Sequence, residues 1–185
     1  YIGISISGDR GLNVSTSKFG GVPYIAQDAQ APVDAEGNQL ALLAQINCTE
    51  LPENDIYPKE GLVQFWISRD DSFGLDSKGT NVVKYIKDID ENITNGDVLN
   101  KYHLPSEDND EEYSPFHEKD ASFALTFNIG TSTITATDFL FEDVAKDAIH
   151  ELFPDEQVAD LYEDLDSEIY ETLFKAFNGV QHAIG

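Results

Sequence analysis

The chain of 185 residues is long enough for one domain that buries about 70% of the surface its unfolded form exposes. Its hydrophobic content of 41%, with 11 Phe, 8 Tyr and 1 Trp, excludes a disordered chain. A formal charge of −24, from 35 acidic and 11 basic residues, argues against nucleic acid and anionic membrane as partners, because both need basic faces.

Cys48 is the only cysteine, so no disulfide forms within the chain, and with no secretory signal in view a reducing, cytoplasmic setting is expected. The Asn-x-Ser/Thr triplets at Asn13, Asn47 and Asn92 then carry no glycan. No apolar run approaches the length of a membrane span; the best, residues 40–46, is interrupted by Gln45. The chain starts at Tyr1, has no methionine and stops at Gly185 without a closing helix, and is read as a segment of a longer protein.

Ile2, Ile4 and Ile6 alternate with small polar residues, the period of a half-buried first strand. Turn residues Gly8, Asp9, Arg10 and Gly11 follow. The organising stretch comes next: Ser17, Lys18, Phe19, Gly20, Gly21, Val22, Pro23 and Tyr24. Two adjacent glycines permit a positive φ or a close backbone approach, and Pro23 forces Val22 out of the helical region. A turn that sets strand register is the reading favoured over a loop that grips a ligand. Residues 28–38 form a loop closing in Glu36, Gly37 and Asn38. Residues 40–48 are an almost continuous apolar run, a strand buried on both faces; 51–61, with Pro52 and Pro58, is a loop.

Residues 62–67 (Leu-Val-Gln-Phe-Trp-Ile) are the strongest strand by composition. Phe65 and Trp66 flank its opposite faces, so one at most can line a groove, and core packing is the default for both. Residues 69–74 make a turn and 82–86 another strand. From 91 to 118 apolar residues are few, the acids Glu107, Asp108, Asp110, Glu111 and Glu112 cluster, and a long exposed connection is expected. Phe123, Leu125 and Phe127 alternate as a strand, and 131–137 has β-branched strand composition.

After that the period changes. Phe141, Val144, Ala148, Ile149 and Leu152 recur at three and four, predicting an amphipathic helix capped by Thr137 or Asp138 and stopped by Pro154. Residues 155–162 read as a short helix. A last helix is predicted with Ser167 as cap, a stripe of Ile169, Leu173, Phe174 and Phe177, and Asn178–Gly179 as its end. Strands first and helices last indicate an α+β, mainly β fold with an antiparallel or mixed sheet. The expected organisation is a single domain over 1–185, β-rich to 137, with a helical acidic part over 138–179.

The order Ser-Lys-Phe-Gly-Gly-x-Pro-Tyr, then residues 42–47, then Pro58-x-x-Gly61-Leu62-x-Gln64-Phe65-x-Ile67 with Asp70 and Asp71, resembles the YwqG-like family of bacterial proteins, a domain of unknown function. The resemblance runs from Ser17 to about Ile86. It implies two copies of a β-rich unit, the second opening with His-x-Ile-Gly-Gly. His182, Ala183, Ile184 and Gly185 are similar to that opening, so this chain is expected to be the first unit, with the second starting near 182. The family supplies no catalytic residues to carry over. Relatives near secreted-toxin gene clusters imply a toxin-neutralising, protein-binding role.

For chemistry, the four histidines His103, His117, His150 and His182 show no paired spacing, so no metal site is expected. Asp108, Asp110 and Glu112 alternate like a calcium loop, but Tyr113 stands where the glycine belongs, and solvated charge is the ordinary reading. Nucleophile elbows, phosphate loops and dinucleotide fingerprints do not occur, and no catalytic residue or cofactor is assigned. Cys48 reads as inert core, and Asp70 with Asp71 as a turn.

Two function classes stand beside each other. A non-enzymatic protein-binding module would use the acidic stretch containing Asp155, Glu156, Asp160, Tyr162, Glu163, Asp164 and Tyr170, suited to steered docking with a basic protein. A small-ligand binder or enzyme would instead use Lys18, Gly20, Gly21, Tyr24, Gln45 and Gln64, since amides in apolar strands need hydrogen-bond partners. Oligomeric state is not legible.

Overall fold

The computed structural model describes residues 1–8, 12–76, 80–131, 134–152, 154, 158–161 and 163–178. It divides into two compact units, Ile2–Gly130 and a second formed by Thr131–Gly185 with Tyr1. The first is built on one sheet of six strands: β1 (Ile2–Gly8), β2 (Lys18–Gly20), β3 (Ala41–Asn47), β4 (Leu62–Ile67), β5 (Val82–Ile86) and β6 (Ser122–Ile129). All neighbours pair antiparallel, in the order β1-β6-β2-β3-β4-β5. The fold is therefore α+β and mainly β, as the sequence order indicated.

Register decides which side chains share a face, because partners directly opposite point the same way. Ala124, Lys18, Gln45, Gln64 and Lys84 stand in one row across five strands, and Phe123, Phe19, Ala44, Phe65 and Val83 form the adjacent row on the other face. On the first face Leu42, Leu62 and Trp66 meet a core of Val14, Tyr24, Ile25, Leu40, Ile93, Val98 and Tyr102 supplied by the loops. The second face carries Ile46, Val63, Phe65 and Phe127 as one cluster. Trp66 is buried and Phe65 half-buried on opposite sides, as the period of two requires. An extra residue between Leu42 and Ala44 makes a bulge in β3.

The segment expected as an exposed connection over 91–118 is anchored instead. A five-residue helix, α1 (Asn95–Leu99), starts on a capping box in which Thr94 and Asp97 satisfy each other's backbone N–H. It places Val98 and, just beyond, Tyr102 in the core, both essentially inaccessible.

In the second unit the helices are α2 (Phe141–Leu152) and α3 (Ser167–Asn178). The buried stripe of α2 is Phe141, Ala145 and Ile149, packed with Leu161, whereas Val144 is 42% exposed. The stripe is thus rotated by about 40° from the expected one, which leaves Val144 and Ala148 outside it. Asp138 accepts from the Leu140 amide, while α3 is capped by Asp166, whose carboxylate accepts from Glu168 N at 2.8 Å, so Ser167 is its first residue and not its cap. Ile169 is exposed, and the Leu173 and Phe177 side chains lie outside the described ones, as does Gly179. Two further expectations fail. The described residues of 131–137 form no strand, and 158–161 form no helix; the remainder of the short helix expected over 155–162 is undescribed. Local β-branched or acidic composition had no ladder or apolar stripe there to act on. The tetrapeptide from His182 to Gly185 also lies outside the described residues.

Candidate functional site

Lys18, Gly20, Gly21, Tyr24, Gln45 and Gln64 do come together. Both glycines have positive φ, +64° and +68°. A Cβ on Gly20 would collide with the carbonyl oxygen of Ala121, and one on Gly21 would meet Ser122 Oγ at 2.5 Å. The turn therefore exists so that the chain leaving β2 can pass against the start of β6. Pro23 and Tyr24 then enter the core.

Around that turn lies a closed polar network. Gln45 Oε1 accepts from Tyr24 N at 2.9 Å and from Gln64 Nε2 at 2.8 Å, while its Nε2 donates to the carbonyls of Val14 at 2.6 Å and Thr16 at 3.0 Å. Gln64 Nε2 also donates to Tyr24 O at 2.7 Å, and Trp66 Nε1 donates to Gln64 Oε1 at 3.2 Å. Both amides are at most 1% exposed. Each buried amide spends its donors and acceptor on loop backbone or on its neighbour, as buried polar groups must.

Lys18 is the unusual member. Its side chain is wholly buried, and Nζ donates to Asn13 O at 2.6 Å and Val22 O at 2.8 Å, tying together the loops on either side of β2. Burial penalises the ammonium and brings its pKa down from 10.5 to about 7, with Glu50 opposing the shift. Glu50 is held nearby by accepting from Ser17 N at 3.3 Å. Next door, Ser17 Oγ accepts from Asn47 N at 2.7 Å.

Tyr24 borders a shallow cleft of about 580 Å³ with Asp28, Asp88, Asp90 and Ile93, and its hydroxyl accepts from Asp90 N at 2.8 Å. A second cleft, also about 580 Å³, was not foreseen. It is lined by Asp34, Asn38, Gln39, Ser68, Arg69, Asp70, His103, Asn109, Glu111 and Glu112. Arg69 lies across its floor, 5.5 Å from the ring centre of Tyr102, pairs with Glu112 at 3.1 Å, and leaves Nε buried without a partner. Tyr102 in turn stands edge-on to Trp66, centroids 5.8 Å apart. The lone Arg in an acidic turn, followed by a Glu-rich loop, is the signal that could have pointed there.

The carboxylates of this cleft hold their own loops. Asp34 accepts from the amides of Glu36 and Asn38, and Asp70 from Ser72 N, Gly74 N and the Ser68 hydroxyl; these hydrogen bonds lower both pKa values. Glu112, a member of the calcium-like alternation, divides its oxygens between Arg69 and Ser106 N. Among the described residues no group of three or more His, Cys, Asp or Glu is arranged to hold a metal ion.

In the acidic stretch, Asp155, Glu156 and Tyr162 lie outside the described residues. Asp160 and Asp164 are turn-formers: Asp164 Oδ2 accepts from Ala159 N and Asp160 N, and Asp160 Oδ1 from Glu163 N. Tyr170 turns inward, packing on the core of the second unit and stacking with Phe174 at 5.9 Å, because α3 buries it at the position expected to flank the acids. Glu163, Glu168 and Glu171 are exposed, Glu171 pairing with Lys175 at 2.9 Å.

No described helix is long and apolar enough to cross a membrane. No curated protein matches the chain. Residues 17–185 match the family described as a domain of unknown function, DUF1963, and the chain belongs to that family.

Proposed function

We propose that this DUF1963 chain is a non-enzymatic protein-binding module that docks a basic partner through the carboxylates of its second unit. The observation that carries the reading is the exposure of Glu163, Glu168 and Glu171 on a chain with 35 acidic against 11 basic residues. Such a surface speeds encounter with a basic protein and weakens as salt screens it. The closed network at Gln45 and Gln64 supports the same reading from the other side, since its hydrogen-bonding groups already serve the fold. The finer reading is a cytoplasmic, bacterial, YwqG-like protein of duplicated architecture that neutralises a toxin.

The test is affinity capture from the source lysate with the full-length protein, beside a variant with Glu163→Lys, Glu168→Lys and Glu171→Lys. A stoichiometric basic protein should be retained by wild type. The variant should associate with it at least about tenfold more slowly, and with a flatter salt dependence. Unchanged association would refute the acidic-face mechanism.

One observation favours a second reading, a small-ligand site or enzyme at the glycine turn: the Lys18 amine, brought to a pKa of about 7, is of the kind that serves as nucleophile or base. Native mass spectrometry finding a stoichiometric small molecule, lost on Lys18→Met with the fold retained, would establish it in place of the first.

A further inference from the structure

Helix α2 carries two apolar rows, and its own unit buries only one of them. Phe141, Ala145 and Ile149 face the core, whereas Leu140, Val144 and Ala148, also spaced at i, i+4 and i+8, lie along the surface. Leu140 is 45% exposed and Val144 42%, and Leu140 O accepts from Val144 N at 3.1 Å, so the two stand one turn apart. Phe139, 88% exposed, precedes them. Valine is a weaker helix former than the lysine or glutamate usual on a solvated face, and here it gains only partial burial in return. Single exposed apolar side chains need no explanation, but a row in register does. Beside that row run Asp143, Asp147 and Glu151, all exposed and again at i, i+4 and i+8.

We propose that this face of α2 receives an amphipathic, basic helix of the partner protein. The inference rests on the reading that the second unit docks a basic partner, and it names what that partner presents. Pitch selects a helix. A second α-helix repeats its side chains at the same spacing, so an apolar ridge on it can lie along Leu140, Val144 and Ala148. Charge selects lysine or arginine beside that ridge. From residue 131 to 178 the chain has 13 acidic residues and two lysines. Both lysines pair within their own helices, Lys146 with Glu142 at 2.8 Å and Lys175 with Glu171 at 2.9 Å. Among the described residues Asp143, Asp147 and Glu151 form no ion pair, so a cationic row would meet them without displacing an existing partner. A second copy of this chain would set carboxylate against carboxylate along the same row. An apolar strip with a charged border has the anatomy of a docking interface.

Fluorescence anisotropy of the full chain with labelled synthetic peptides tests it. The first probe is an alanine-rich helix of about 16 residues, with leucines in one i, i+4 row and lysines in the next. The second has the same composition in scrambled order, and the third has glutamate in place of lysine. The first should bind at least about tenfold more tightly than either of the others, and more weakly as salt is added. Leu140→Gln with Val144→Gln should abolish its preference over the scrambled peptide, circular dichroism showing the fold intact. Asp143→Asn with Asp147→Asn should weaken it at least about threefold and flatten its salt dependence. Basic peptides that bind alike in either order, and are released by Glu163→Lys, Glu168→Lys and Glu171→Lys, would overturn the α2 site and leave carboxylate docking by the second unit standing. Uptake of neither basic peptide overturns the site too, as does equally tight binding of the glutamate helix. Sedimentation of the chain as a dimer that Leu140→Gln with Val144→Gln dissociates would put a second copy on this face, and also overturns the proposal.

Discussion

Lys18 should make the stability of the first unit rise with pH across a window where no ordinary surface residue acts. The unfolded chain holds its ammonium proton up to about 10.5, the folded chain only up to about 7. Between those values the unfolded state binds the extra proton, so unfolding free energy climbs with pH; below about 7 both states are protonated and the burial penalty is present in full. The full difference corresponds to about 5 kcal/mol at 1.36 kcal/mol per pH unit, and integration from pH 7 to pH 9 gives a gain of about 2 kcal/mol. With a urea m-value of about 2 kcal/mol/M that is a midpoint shift of about 1 M. Cys48 and Tyr102, whose pKa values burial raises from 9.0 and 10.0, act oppositely: they withhold deprotonation in the folded state and erode stability above about pH 9. The aspartates with lowered values, Asp34 and Asp70 among them, release their protons far below this window. Urea melts of wild type and Lys18→Met at pH 7, 8 and 9 isolate the lysine, because every other group is common to both. Lys18→Met, without the hydrogen bonds to Asn13 and Val22, should lose the rise between pH 7 and 9. Parallel pH profiles for the two proteins would refute the buried-ammonium reasoning.

Gly20→Ala combines a positive φ with a collision against the Ala121 backbone, so a loss of about 3 kcal/mol or more is expected in urea denaturation. A loss below about 1 kcal/mol would mean that the β2–β6 crossing relaxes freely. Gln45→Leu keeps the volume but strands the Tyr24 amide and the Val14 and Thr16 carbonyls, at about 1–3 kcal/mol for a buried group left unsatisfied, so it should cost about 3 kcal/mol. A nearly neutral Gln45→Leu would show that the network is spare to the fold.

Where an element repeats its pattern locally, the residues announced it. Ile2, Ile4 and Ile6, the apolar run of β3, and the aromatic β4 each carry enough period or β-propensity to appear within one or two residues of their observed bounds. The order of strands is different in kind. β6 inserts between β1 and β2, over a hundred residues from each in sequence, and nothing local to Phe123, Leu125 and Phe127 says which edges they will join. Val98 and Tyr102 were illegible for a related reason: they are isolated apolar residues in a polar stretch, and α1 has no room for a stripe, so only the Thr94–Asp97 capping box marked it.

The candidate site shows the same division between type and role. Glutamines in apolar strands signalled a hydrogen-bonding requirement correctly, and register put Lys18, Gln45 and Gln64 in one row. What the pattern could not say is that the partners would be loop carbonyls and amides, because those loops reach the row only through the tertiary path set by Gly20 and Gly21. Lys18 makes the point most sharply. From sequence, Lys18 groups with a small-ligand site at the glycine turn, yet here it is wholly buried and ties Asn13 to Val22. A buried polar row on one face and an uncharged apolar row on the other then divide the work of the sheet. The first locks the loops of its own chain, and the second holds the apolar cluster of Ile46, Val63, Phe65 and Phe127.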